Sequence, residues 1–166
     1  MALASVYLVQ AKHDDAVDAM NRGVMTAPGD SITLLWLGYY LHWIGRGEKA
    51  VATIKKSMEL DPIGVGQDPG YLDFLSWACF TAGFYEESIS NMKKAIEKFG
   101  SIKTRDPWLI ASYIMLGRIE ESMEAAQQWL KVDPTFSLSS WDFGRMYKRP
   151  EDSKRLYGAL RKAGLK

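Results

Sequence analysis

A single cysteine, Cys79, stands among 166 residues, so no disulfide can form within the chain. The fold must therefore hold by its apolar core, as is usual in a reducing compartment. Histidine is almost as scarce: His13 and His42 are the two present, and neither has a second ligand at metal-binding spacing. His13-Asp14-Asp15 reads as a solvated turn before a helix. Cys79 falls on an apolar helical stripe with no histidine close in sequence, the setting of a buried structural thiol. A run of about 20 apolar residues, the minimum for a transmembrane helix, does not occur. The apolar opening, Met1 to Val9, has no basic residue before Lys12 and so lacks a signal peptide's charged leader. It is expected to be part of a core helix in a soluble, cytoplasmic protein.

Charge is scarce in net terms but unevenly placed. Residues 1–144 carry 13 Lys/Arg against 18 Asp/Glu, whereas residues 145–166 carry 8 against 2. The basic tail (Arg145, Lys148, Arg149, Lys154, Arg155, Arg161, Lys162, Lys166) has three readings. It could meet nucleic acid or acidic lipid, it could meet the acidic remainder of the same or a second copy, or it could be the solvated face of a capping helix. Basic and aromatic residues do not interleave as a nucleic-acid groove requires, so no nucleic acid is expected.

The chain is rich in evenly spaced turn signals. Ala27-Pro28-Gly29, Asp61-Pro62, Phe99-Gly100 and Asp133-Pro134 recur at a period in the thirties, which marks an array of helical repeats. In the second unit Asp30 can cap a helix running to Ile44, Gly45-Arg46-Gly47 breaks it, and Glu48 opens another that stops before Asp61-Pro62. The third unit repeats this over Asp68–Ala82, Gly83 and Glu86–Phe99. The fourth does so over Asp106–Leu116, Gly117 and Ile119–Val132. The first retains its second helix, about Asp14–Met25. Leu34, Leu37 and Leu41, like Leu72, Leu75 and Cys79, fall at i, i+3 and i+7, the spacing of one helical face. Small residues (Gly38 with Ala50, Ser76 with Ser88, and Ser122) recur where paired helices must approach closely. Val65–Asp68 is an added surface loop. The last residues predict one helix over Ser137–Tyr147 and a final one opened by Pro150-Glu151-Asp152, with Leu156, Ala159, Leu160 and Ala163 as its apolar stripe. Such a tail suits the capping of an open array.

Unit two, with Leu37-Gly38, Leu41, Gly45, Ala50, Ile54 and Pro62, resembles the tetratricopeptide repeat. So do unit four (Leu109, Tyr113, Gly117, Pro134) and unit one (Tyr7, Ala16, Met20, Pro28). Ser57 and Trp129 depart from the pattern at its third small position, and Gly100 stands where proline is usual. The resemblance implies an all-α, right-handed superhelix of antiparallel helix pairs, with the array over residues 1–134 and C-terminal capping helices over 135–166 in the same domain. It also implies a concave face lined by the first helix of each pair, where a protein or peptide segment would lie. The residues projecting there would be Leu35, Tyr39, His42, Trp43, Asp73, Trp77, Phe80, Pro107, Ala111, Ile114 and Met115, with Trp77 and Tyr39 foremost. Each could equally pack inside the array. The set is aromatic and apolar and lacks the Lys/Asn/Arg group that grips a C-terminal carboxylate in chaperone-binding members.

A narrower resemblance lies in Asp133-Pro134-Thr135-Phe136-Ser137-Leu138 and Leu160-Arg161-Lys162-Ala163-Gly164-Leu165. These segments are similar to the C-terminal tetratricopeptide region of bacterial class III adenylate/guanylate cyclases. That resemblance implies a regulatory or assembly region of a larger signalling enzyme, and it is compatible with a homodimer. A stand-alone adaptor is the alternative. Gly64-Val65-Gly66-Gln67-Asp68-Pro69-Gly70 follows no strand and carries no Lys-Ser/Thr, so it is a loop and not a phosphate cradle. No catalytic residue, metal or cofactor is expected in this chain.

Overall fold

The computed structural model describes residues 2–100 and 106–166. Those residues contain α-helices and two short 3-10 helices, with no strand among them. The α-helices are α1 (Ala2–Val9), α2 (His13–Thr26), α3 (Ser31–Trp43), α4 (Gly47–Leu60), α5 (Gly70–Ala82), α6 (Tyr85–Phe99), α7 (Asp106–Met115), α8 (Ile119–Val132) and α9 (Pro150–Lys162). They pair in sequence order as α1/α2, α3/α4, α5/α6 and α7/α8, and each pair leans on the next. Of the predicted Met1–Val9 helix, Met1 lies outside the described residues.

The breaks within pairs are alike because one piece of backbone chemistry recurs. Gly45, Gly83 and Gly117 have φ of 78°, 84° and 74°, a left-handed conformation that glycine adopts without strain. In each case the next amide reaches back five residues. Arg46 N–H donates to Leu41 O (3.0 Å), Phe84 N–H to Cys79 O (2.8 Å) and Arg118 N–H to Tyr113 O (2.9 Å). This closes the helix and frees the chain to reverse. At the other end of α3 the Asp30 carboxylate accepts from Thr33 N–H at 2.9 Å, satisfying an otherwise unpaired first-turn amide.

Close approach within and between pairs is set by small residues. Gly38 and Ala50 meet between α3 and α4, where a Cβ on Gly38 would stand 3.2 Å from Ala50 O. Ser76, Ser88, Ser112 and Ser122 are fully buried, and their hydroxyls are used. Ser88 Oγ donates to Ser76 O (2.9 Å), Ser112 Oγ to Ser88 Oγ (3.0 Å) and Ser122 Oγ to Ile110 O (2.8 Å). Each bond keeps a buried hydroxyl from being left unpaired, which would cost about 1–3 kcal/mol. The two departures from the repeat pattern also have local causes. Ser57 is buried and donates to Ser31 O. Trp129 is buried against Phe136, ring centroids 4.1 Å apart, where the chain leaves α8.

The final segment differs from its prediction. Ser137–Tyr147 is not one α-helix; a turn over Leu138–Ser140 leads into a 3-10 helix, Asp142–Met146. Its rings are drawn to aromatic partners on α3, α5 and α7, and a regular helix could not point all of them at one wall. The α9 helix begins at Pro150 as expected and packs chiefly on α7, burying Leu156, Ala159 and Leu160. The inserted loop of the third unit is tightened by a 3-10 turn, Gly64–Gly66.

Candidate partner-binding groove

α3, α5 and α7 bring Trp43, Trp77 and Trp108 side by side. Trp77 and Trp108 stack at 4.8 Å between centroids, and Trp43 stands 6.4 Å from Trp77 and 6.2 Å from Trp108. Tyr39 extends this wall, 5.8 Å from Trp43 and 6.1 Å from Trp77, with Phe74 and Trp36 beyond it. Three consecutive repeats thus contribute to one aromatic surface.

The surface is covered by the chain's own tail. Phe143 lies 6.2 Å from Trp43, 6.4 Å from Trp77 and 6.0 Å from Trp108, between ring centroids. Tyr147 sits 4.8 Å from Trp43 and 5.1 Å from His42. Trp141 stacks on Phe143 at 5.6 Å and meets Trp108 edge-on at 5.5 Å. Lys148 N–H donates to Trp43 O at 2.8 Å, and Lys148 Nζ reaches both Asp14 carboxylate oxygens at 2.7 Å, so the tail spans back to α2. Tyr157 of α9 donates to Trp141 O.

The predicted site residues therefore take unequal places. Trp43 and Trp77 are in the wall, Tyr39 is half-buried at its margin, and His42 touches Tyr147. Phe80 is buried beneath Arg155, whose guanidinium carbon lies 5.5 Å from the ring centroid. Leu35, Asp73, Pro107, Ala111 and Ile114 are buried, and of the predicted set Met115 alone is exposed. The tail covers Trp43, Trp77 and His42, and Arg155 of α9 lies over Phe80, so these side chains are not presented on an open groove. Trp108, Phe143 and Tyr147 were absent from the predicted set. Trp43, Trp77, Trp108 and Trp141 recur at close to the repeat period, a signal that could have found the first and the ring on which Phe143 stacks.

Burial sets the acid–base character of the groove. Desolvation, aided by the charge of Arg155, pushes His42 down to about 3, so its imidazole is neutral, with Nδ1 2.6 Å from Thr81 Oγ1. Burial raises Tyr39 to about 12 and holds the Tyr147 hydroxyl higher still. Cys79 is likewise pushed up to about 12, chiefly by burial and then by Glu87, so it remains a thiol. Among the described residues no three His, Cys, Asp or Glu side chains are grouped to hold a metal ion, and no helix is long and apolar enough to cross a membrane.

Part of the basic tail meets the array of its own copy. Besides Lys148 with Asp14, Arg155 donates to Thr81 O at 3.3 Å, and buried Asp152 takes ion pairs from Arg149 (2.9 Å) and Arg155 (2.6 Å). Lys154, Arg161, Lys162 and Lys166 are exposed, while the side chain of Arg145 lies outside the described residues. A concavity of about 680 Å³ lies between α6, α7 and α8, away from the aromatic wall and lined by Lys93, Leu109, Tyr113, Glu121 and Gln128 among others.

No protein-family model and no curated protein matches this sequence. Solved structures do match. The crystal structure of MamA aligns with 98% of this chain and 93% of its own, at a TM-score of 0.67 and 21% identity. A thermophilic TPR protein of Thermus thermophilus aligns with 99% of this chain and 90% of its own, at 0.69 and 20% identity. TPR-like repeats of a putative kinesin light chain from Podospora anserina cover 98% of this chain and 90% of their own, at 0.68 and 13% identity. What is shared at such identities is architecture, and this chain has the tetratricopeptide fold, a right-handed superhelix of antiparallel helix pairs closed by its C-terminal segment.

Proposed function

We propose that the chain is a protein–protein interaction module that holds a polypeptide segment against the wall formed by Trp43, Trp77 and Trp108. The observation that carries this reading is that the wall already holds one, residues Trp141–Lys148, by ring stacking and a backbone hydrogen bond. Neither interaction depends on the segment belonging to the same chain. Large rigid aromatic side chains dominate the energetics of such contacts, and repeat superhelices are suited to extended ligands.

The test is a titration of a fluorescent peptide, Ser139–Arg149, against a Phe143→Ala/Tyr147→Ala variant, in which the wall is intact and two of its three resident rings are gone, Trp141 remaining against Trp108. Saturable micromolar binding with a change in tryptophan emission, weakened by Trp77→Ala, is expected. Absence of binding at millimolar peptide would contradict the reading.

The finer reading is that the module regulates or assembles a nucleotide cyclase in the same polypeptide. Its support is the tail pattern Asp133–Leu138 and Leu160–Leu165. A stand-alone adaptor is supported equally by the fold. Sequencing the gene upstream of the Met1 codon separates them: an open frame into a catalytic domain favours the first, and a stop codon with a ribosome-binding site favours the second.

A further inference from the structure

We propose that residues Ser139–Arg149 form a displaceable strap. On this account the strap occupies the aromatic groove until a partner segment of like chemistry, aromatic–x–aromatic–x3–aromatic–Lys/Arg, takes its place. The proposal rests on the reading of the groove as a segment-binding site.

The strap is anchored at its ends by contacts that do not use the groove. Upstream, Phe136 packs on Trp129, and Leu138 N–H donates to Lys166 O at 2.7 Å. Downstream, α9 has its own apolar face on α7, and Asp152 binds Arg149 and Arg155 at the start of that helix. The strap can therefore lift from the wall without unwinding α8 or α9. Between these anchors it is built as a low-stability element, in the sense that few of its backbone groups are tied into regular structure. It contains one 3-10 helix, and Ser139, Ser140, Asp142, Lys148 and Arg149 are exposed between the ring anchors.

Its occupancy of the groove defines what could replace it. Trp141, Phe143 and Tyr147 fill the wall, and the next residue, Lys148, pairs with Asp14 on α2. That ion pair is in solvent, 43% and 72% exposed on its two sides, so it acts as a weak, salt-sensitive latch. The excess of acid over base in residues 1–144 favours a basic segment over an acidic one. Because the strap is tethered, it competes at an effective concentration of order millimolar, and an incoming segment binds more weakly by the fraction of molecules that are open.

The experiment measures anisotropy of the labelled Ser139–Arg149 peptide with full-length chains: wild type, Lys148→Glu, and Phe143→Ala/Tyr147→Ala. Loss of two of the strap's three rings, Phe143 and Tyr147, is expected to tighten peptide binding at least tenfold relative to wild type. Reversal of the latch should tighten it about threefold at low salt, with the gain vanishing in 1 M NaCl. Lys148→Glu is a surface change and keeps the comparison valid if the double variant folds poorly, which near-ultraviolet circular dichroism reports. Equal affinity for wild type and both variants would overturn the strap while leaving the groove reading intact. No binding to any chain would overturn both. A wild-type dimer that becomes monomeric in Phe143→Ala/Tyr147→Ala would place the strap in a second copy's groove and overturn displacement within one chain.

Discussion

Adding one methyl group at Gly38 should destabilise this protein, although glycine is the poorer helix former. Gly38 lies in the interior of α3, where a change to alanine by itself favours the helix by about 0.5–1 kcal/mol. A Cβ there would overlap Ile54 Cγ1, stand 2.9 Å from Ile54 Cδ1 and 3.2 Å from Ala50 O. Ile54 is fully buried and cannot swing into solvent. Overpacking of this kind costs about 1–3 kcal/mol, so the net loss should be about 1 kcal/mol, lowering Tm by roughly 2–4 °C in a chain of this size. Ile54→Ala alone should cost about 2–5 kcal/mol. In the double variant the methyl group introduced by Gly38→Ala enters space that Ile54 has vacated, so the combined loss should fall short of the sum by at least about 1 kcal/mol. Urea denaturation of the four proteins in the cycle measures this coupling. Gly158→Ala on α9 is the control: its Cβ meets nothing within 4 Å, and it should stabilise by about 0.5–1 kcal/mol. Additivity within about 0.5 kcal/mol in the Gly38/Ile54 cycle, or a stabilised Gly38→Ala, would refute close helix approach as the reason for that glycine.

Three further outcomes follow from burial and capping. Cys79, buried and with its thiol pushed up to about 12, should react with a thiol reagent at neutral pH at least about a hundredfold more slowly in the native protein than in denaturant. His42 is held down to about 3 from an ordinary 6.5, so its contribution is present above 6.5 and is lost as pH falls towards 3 and the unfolded chain takes up the proton. Stability should drop by about 1.5 kcal/mol between pH 6.5 and 5, and His42→Gln should flatten most of that slope in denaturation curves. Asp30→Ala, removing the 2.9 Å cap on Thr33 N–H, should cost about 1 kcal/mol, with the m-value unchanged.

The repeat was legible because its signals are local. A glycine followed by an amide that reaches back five residues, a proline after a helix and a short carboxylate before one each act within a turn, so Gly45, Gly83, Gly117 and Asp30 could be placed without knowing the rest. Small positions such as Gly38 and Ser88 were legible for a related reason, since close helix approach restricts volume wherever it occurs. The tail was not legible in the same way. Leu138, Trp141 and Met146 have a spacing that reads as helix, but the partners of the tail's rings, Trp43, Trp77 and Trp108, lie on three helices distant in sequence. Trp108 lies on α7 beside Pro107, one of the residues projected onto the concave face, and the repeat pattern by itself does not single it out. The covering of the concave face is a property of the returned chain, and neither periodicity nor propensity encodes it.

The central claim, that the tail lies on the aromatic wall, is tested most directly by amide hydrogen exchange at Lys148. Its N–H donates to Trp43 O across about a hundred residues of sequence, although the Lys148 side chain is solvent-exposed. The account predicts exchange at least about tenfold slower than for an open loop, with that protection lost in Phe143→Ala/Tyr147→Ala. Exchange at the unprotected rate in the wild-type protein would contradict it.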